Sequence, residues 1–75
     1  MIFYLSATTP VLEIGEEVEA DNAFRAVEVI RLLVAEFGYL VLLDEQEPKS
    51  CRGRIYKDSG LELLPVGEVS AVAVE

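Results

Sequence analysis

Fourteen Asp and Glu residues, six Lys and Arg, one cysteine and no histidine define the chemistry open to this chain. With no imidazole, a Ser–His or Cys–His pair has no proton acceptor. Cys51 stands beside Arg52 and two residues from Lys49, cations expected to lower its pKa and favour a thiolate, as in a redox-sensing thiol. The plainer alternative is a small residue in a hairpin loop, since no resolving cysteine or base accompanies it. Glu13, Glu16, Glu17, Glu19 and Asp21 are dense, yet they lack the order of a calcium-binding loop, so weak, nonspecific divalent binding is all they suggest. The five glycines are scattered singly and make no phosphate-cradling loop. Paired carboxylates could serve a glycosidase, but so short a chain is expected to leave little room for a cleft of roughly 300 Å3 or more. Neither an enzyme nor a cofactor is expected.

What remains is charge. On a strand, residues two apart share a face at about 6.6 to 6.8 Å. Glu17, Glu19 and Asp21 then form a regular anionic row, which Glu13 can extend, with Glu16 beside it. Asp44, Glu45 and Glu47 make a second acidic group. Carboxylates at this pitch approach a nucleic-acid backbone in charge density, and could fill a Lys/Arg-lined groove with steep salt dependence. Alternatively they are a solvated face that keeps an edge strand soluble. Cations are segregated too: Lys49, Arg52, Arg54 and Lys57 fall within nine residues. They could dock a partner or a second copy, or simply offset Asp44 to Glu47 across a sheet.

The elements that must position these groups follow from hydropathy. Ile2 to Thr8 reads as a strand ending at Thr9-Pro10. Glu16 to Ala20 reads as a second strand antiparallel to the first, with Val18 and Ala20 on one face and Glu17 and Glu19 on the other. Asp21 or Asn22 can cap a helix reaching about Phe37, stopped by Gly38. Its sheet-facing side is expected to carry Val27, Ile30, Leu33, Val34 and Phe37, while Phe24 and Leu32 project toward the charged side. Tyr39 to Leu43 is apolar on both faces, which predicts a central strand, with Asp44 to Pro48 leaving the sheet. Arg52 to Lys57 and Leu61 to Val66 flank Asp58-Ser59-Gly60, a hairpin signal. Gly67 is expected to break the run before a last strand, Val69 to Val74, placed either at an edge or inserted centrally. The result is an α+β fold, ββαβββ or ββαββββ, with one helix on a mainly antiparallel sheet.

Seventy-five residues make a single domain, 1–75, near the size at which one core suffices. No disulfide can staple it, so the core must hold it. An apolar share of 52% permits this and, beside a net charge of −8, suggests apolar surface covered by a partner or second copy. No run approaches the 20 or so apolar residues of a membrane helix, and Met1 to Ser6 lacks a basic signal-peptide start. A cytoplasmic setting is expected, without direct binding to nucleic acid or membrane, which the net charge repels.

The stretch Glu16-Glu17-Val18-Glu19-Ala20-Asp21-Asn22-Ala23-Phe24-Arg25-Ala26 resembles a layout in many small acidic phage and mobile-element proteins, some anti-CRISPR proteins among them. There a strand ending in a Val-x-Ala step leads directly into a capped helix. The resemblance covers this part of the chain and is architectural. It implies a non-enzymatic inhibitor that blocks DNA access by a CRISPR surveillance complex, acidic side chains engaging Lys and Arg in the DNA path. On this chain those side chains would be Glu16, Glu17, Glu19 and Asp21, then Asp44, Glu45 and Glu47. The basic hairpin departs from a uniform DNA mimic. A small homo-oligomeric assembly protein, or an accessory subunit of a larger complex, is the alternative.

Overall fold

A computed structural model describes residues 1–74. Five strands and one helix follow one another as β1 (Ile2–Thr8), β2 (Glu13–Glu19), α1 (Ala23–Ala35), β3 (Tyr39–Glu47), β4 (Ser50–Asp58) and β5 (Leu63–Ala73). All neighbouring pairs in the sheet are antiparallel, in the order β2-β1-β5-β4-β3. The architecture is the α+β arrangement ββαβββ, one helix on one sheet face.

Alternation in the strands decides which face the helix covers. Phe3, Leu5 and Ala7 of β1, Cys51 and Ile55 of β4, and Val69 and Ala71 of β5 are buried on one side. Ala23, Ala26, Val27, Ile30 and Val34 of α1 close over them. Alanines on both layers let helix and sheet approach closely, and close packing is what a core this small depends on. Asn22 caps the helix, its Oδ1 accepting from the Arg25 N–H at 3.0 Å. Gly38, at φ 77°, ends it in the left-handed region where other residues are strained. Leu33 and Phe37 were expected on the sheet side, yet both are exposed, because the helix is tight against the sheet only along its alanine-lined stripe. Phe24 and Leu32 are exposed, as their projection requires.

Three boundaries depart from the sequence reading. β2 begins at Glu13, not Glu16, because Gly15 pairs with Ser6 and continues the ladder without a side chain. The preceding turn closes on Thr9, whose N–H donates to the Leu12 carbonyl at 2.8 Å and whose hydroxyl accepts the Leu12 N–H at 3.0 Å. β3 is an edge strand, not a central one, and runs on through Glu47 where a departure from the sheet was expected. Its pairing with β4 survives the acidic stretch by a bulge between Leu43 and Glu45. Finally, Gly67 does not divide the last segment. β5 absorbs it in a register shift against Ile55 and Tyr56, and its Val/Ala-rich end lies centrally between β1 and β4. The Asp58-Ser59-Gly60 turn does join two strands, with Asp58 Oδ1 accepting from the Gly60 N–H at 2.8 Å.

Candidate functional site

The sheet face away from the helix is uncovered, and its charge is laid out by strand register. On β2, Glu13, Glu17 and Glu19 stand opposite Thr8, Tyr4 and Ile2, all on this open face, and all three glutamates are exposed. Gly15 occupies the remaining place in the row, beneath the Tyr4 hydroxyl, which lies 2.6 Å from where a Cβ would sit. Glu16 is exposed but pairs with Leu5, so it projects on the helix side. Asp21 is exposed in the link to the helix. Among the described residues, none of these five carboxylates forms an ion pair.

The second acidic group lies at the other edge. Glu45 and Glu47 face Arg52 and Ser50 across the β3–β4 ladder, and Asp44 sits at the bulge. Four strand spacings, about 19 Å, separate β2 from β3. The two acidic groups therefore do not merge into one surface. Their environments differ as well: Glu45 Oε2 accepts a hydrogen bond from the Ser50 hydroxyl and lies 3.5 Å from Arg52 Nε. Across this ladder the basic hairpin offsets its acidic neighbour. Both side chains are about half exposed, so the pair contributes at most about 1 kcal/mol.

Between the edges the open face dips into a depression of about 320 Å3. The length of the chain argues against a cavity of that size, and this one is a depression on the sheet surface itself. Ser6, Thr8, Asp44, Arg52, Arg54, Glu68 and Ser70 are among the residues that line it. Sequence alone does not single out the hydroxyl residues or Glu68. Their signal was the polar alternation at 6 and 8 in β1 and at 68 and 70 in β5, which acquires meaning once these two strands are paired. The depression offers guanidinium, carboxylate and hydroxyl groups for hydrogen bonding to a polar ligand. Among the described residues, no three acidic or cysteine side chains converge to hold a metal ion.

Cys51 overturns both expectations for it. It lies in β4, not in a loop, and is fully buried beneath the helix. Burial pushes its thiol pKa up and the charge of Glu45 adds to this, against a smaller lowering from the Glu47 backbone. In the protonated form Sγ donates to the Glu47 carbonyl at 3.7 Å. Arg52, expected to favour the thiolate, is the next residue of the strand and so points to the opposite face.

Among the described residues, no helix is long and apolar enough to cross a membrane. No protein-family model, curated protein or solved structure matches this chain.

Proposed function

We propose that this chain is a non-enzymatic binding protein that sets the carboxylates of its β2 edge against a basic surface on a nucleic-acid-handling partner. The observation that carries this reading is the exposed row Glu13, Glu17 and Glu19 on one face of an edge strand, free of ion pairs among the described residues. Glu16 and Asp21 widen the anionic strip around the edge. The strand fixes the backbone that carries these carboxylates, so docking has only their side chains left to order. A Lys/Arg-lined groove evolved for phosphates would gain charge complementarity and lose access to its polyanion. An anti-CRISPR role, with a CRISPR effector as the partner, is the specific form that the resemblance of residues 16–26 suggests. In this reading Asp44, Glu45 and Glu47 contribute less, because Arg52 and Ser50 already engage Glu45.

The test is capture from a bacterial lysate by the immobilised wild-type chain and by a Glu17→Lys/Glu19→Lys/Asp21→Lys variant. The wild type is expected to retain basic nucleic-acid-binding proteins that moderate salt elutes, and that lose DNA when the chain is added. The same captured set on the triple variant, or capture indifferent to salt, would overturn the reading.

A further inference from the structure

β3 is a sheet edge whose first five residues, Tyr39-Leu40-Val41-Leu42-Leu43, carry no charge. Exposed edges are ordinarily blunted by charge, proline or a bulge, because their unpaired N–H and C=O groups template another strand. The opposite edge obeys this rule with four glutamates in seven residues. Along β3 protection begins only at the bulge and the acids that follow it. The apolar half is also wet on its flank: Leu40 is 46% and Leu42 49% exposed on the open face. On the helix side Phe37, 50% exposed, packs beside Tyr39 with ring centroids 6.3 Å apart.

We propose that this half-strand pairs with β3 of a second copy, antiparallel about a twofold axis through Val41, so that two five-stranded sheets become one of ten strands. The residues select both occupant and register. With the axis at Val41, Leu40 lies opposite Leu42 of the partner subunit, and Tyr39 lies opposite Leu43 of the partner subunit. Every cross-strand pair from 39 to 43 is then apolar, and Leu40 and Leu42 of both copies form one four-leucine cluster on the open face. An axis at Leu43 would instead set Tyr39 against Glu47 and Val41 against Glu45. An axis beyond Glu45 would set carboxylate against carboxylate, which is destabilising. The bulge at Leu43/Glu45 turns the strand aside where the acids begin, so pairing ends there. A second copy satisfies all of this with the same five residues, as a twofold interface requires. In such a dimer the two β2 strands become the outer edges, about 43 Å apart. The inference stands on β3 alone, and its failure leaves the β2 reading untouched.

Sedimentation equilibrium over a broad concentration range, with the full chain, tests it. The wild type is expected at twice the mass of one chain. Leu40→Lys and Leu42→Lys should each give the monomer with an unchanged far-ultraviolet spectrum, and Glu17→Lys should remain dimeric. Register is read by oxidising a mixture of Leu40→Cys and Leu42→Cys chains: the mixed disulfide should outrun either self-crosslink, and buried Cys51 does not compete. If a lysine variant fails to fold, hydrogen exchange of wild-type amides 39–43 supplies the answer, since their protection should rise with protein concentration. A wild-type monomer throughout, a dimer unaffected by both lysines, or protection independent of concentration would overturn the proposal.

Discussion

The two edges of this sheet are built on opposite plans. β2 has a glutamate at four of its seven positions, and no cation neutralises their charge among the described residues. β3 is half apolar and half acidic, and Glu45 is tied back to β4 by Arg52 and Ser50. The helix α1 connects them, leaving from β2 and returning as β3. One edge thus repels other strands and stays available to a cationic surface, while the other keeps a short uncharged stretch of backbone able to pair. The same chemical device, a carboxylate on a strand, acts as display in one place and as local structure in the other. Environment decides which.

The largest expected difference between the edges comes from one substitution made twice. At Gly53, under the β3 bulge, an added Cβ would strike the Leu42 carbonyl oxygen and lie 2.8 Å from Leu43 Cα, both backbone atoms. At Gly15 in β2 it would meet only the mobile end of Tyr4. Gly53→Ala should cost about 1 to 3 kcal/mol as an overpacking change, and Gly15→Ala should stay within about 0.5 kcal/mol of wild type. Urea unfolding of both variants checks the pair. Equal costs would mean that the β3 edge is no more tightly seated than the β2 edge.

A smaller effect compares the two ends of the connecting helix. Asn22→Ala removes the cap at the β2 side and should cost about 1 kcal/mol. Gly38→Ala places a Cβ in the left-handed region at the β3 side and should cost about 1 to 2 kcal/mol. Thermal unfolding reads both. Similar losses would show the helix to be anchored at either edge alike, and a negligible loss at Asn22 would place its anchoring elsewhere, as in the Ala23 N–H bond to the Pro48 carbonyl at 2.7 Å.

The contrast between the edges explains what was legible in the sequence. β1, the helix with its cap and stop, and the Asp58–Gly60 hairpin could be read because local signals suffice there: alternation, an Asn before an apolar stripe, a glycine in a turn. Strand order could not. Tyr39 to Leu43 is apolar on both faces, which ordinarily marks a central strand, and nothing local distinguishes that from an edge awaiting a partner. The Asp44–Glu47 run looked like an exit because consecutive acids are poor strand formers. Arg52, eight residues from Asp44 in sequence, becomes the neighbour of Glu45 only through the β3–β4 ladder, with the bulge making room. The row on β2 was correctly phased for Glu17 and Glu19, and Glu16 separated from it by the simple parity of a strand. The depression lined from β1, β3, β4 and β5 was invisible for the same reason as the strand order: its hydroxyls are long-range neighbours.

Cys51 sharpens the comparison from beneath the β3 side. Its thiol pKa is raised in the folded chain, chiefly by burial. As pH climbs past the ordinary thiol value, about 8.5, the unfolded chain loses this proton before the folded chain does. The associated stability is therefore intact below that pH and declines above it. Cys51→Ala should flatten the alkaline decline relative to wild type, as denaturant titrations at neutral and alkaline pH would reveal. In native protein a thiol reagent should react only as fast as the β4 region opens; prompt modification would contradict the burial.

The smallest effect asks whether the carboxylates at the two edges do different work. Glu45→Gln weakens the contact with Arg52 and should cost at most about 1 kcal/mol, since the pair is half exposed. Glu17→Gln has no ion pair to lose among the described residues. It removes one of several like charges along β2 in a chain of net charge −8, so its effect on stability should be neutral or slightly favourable. The sign of the difference between the two variants is the informative quantity, because both lose one negative charge and keep nearly the same shape. Salt then separates the causes. At about 1 M ionic strength the screening length falls to about 3 Å, so repulsion along β2 should vanish and the gain at Glu17 with it. The hydrogen bond from Ser50 to Glu45 persists in salt, and some of the loss at Glu45 should persist too. If both variants shift stability alike at low salt and converge at high salt, the carboxylates of β3 are display charges like those of β2, and the two edges differ only in their apolar halves.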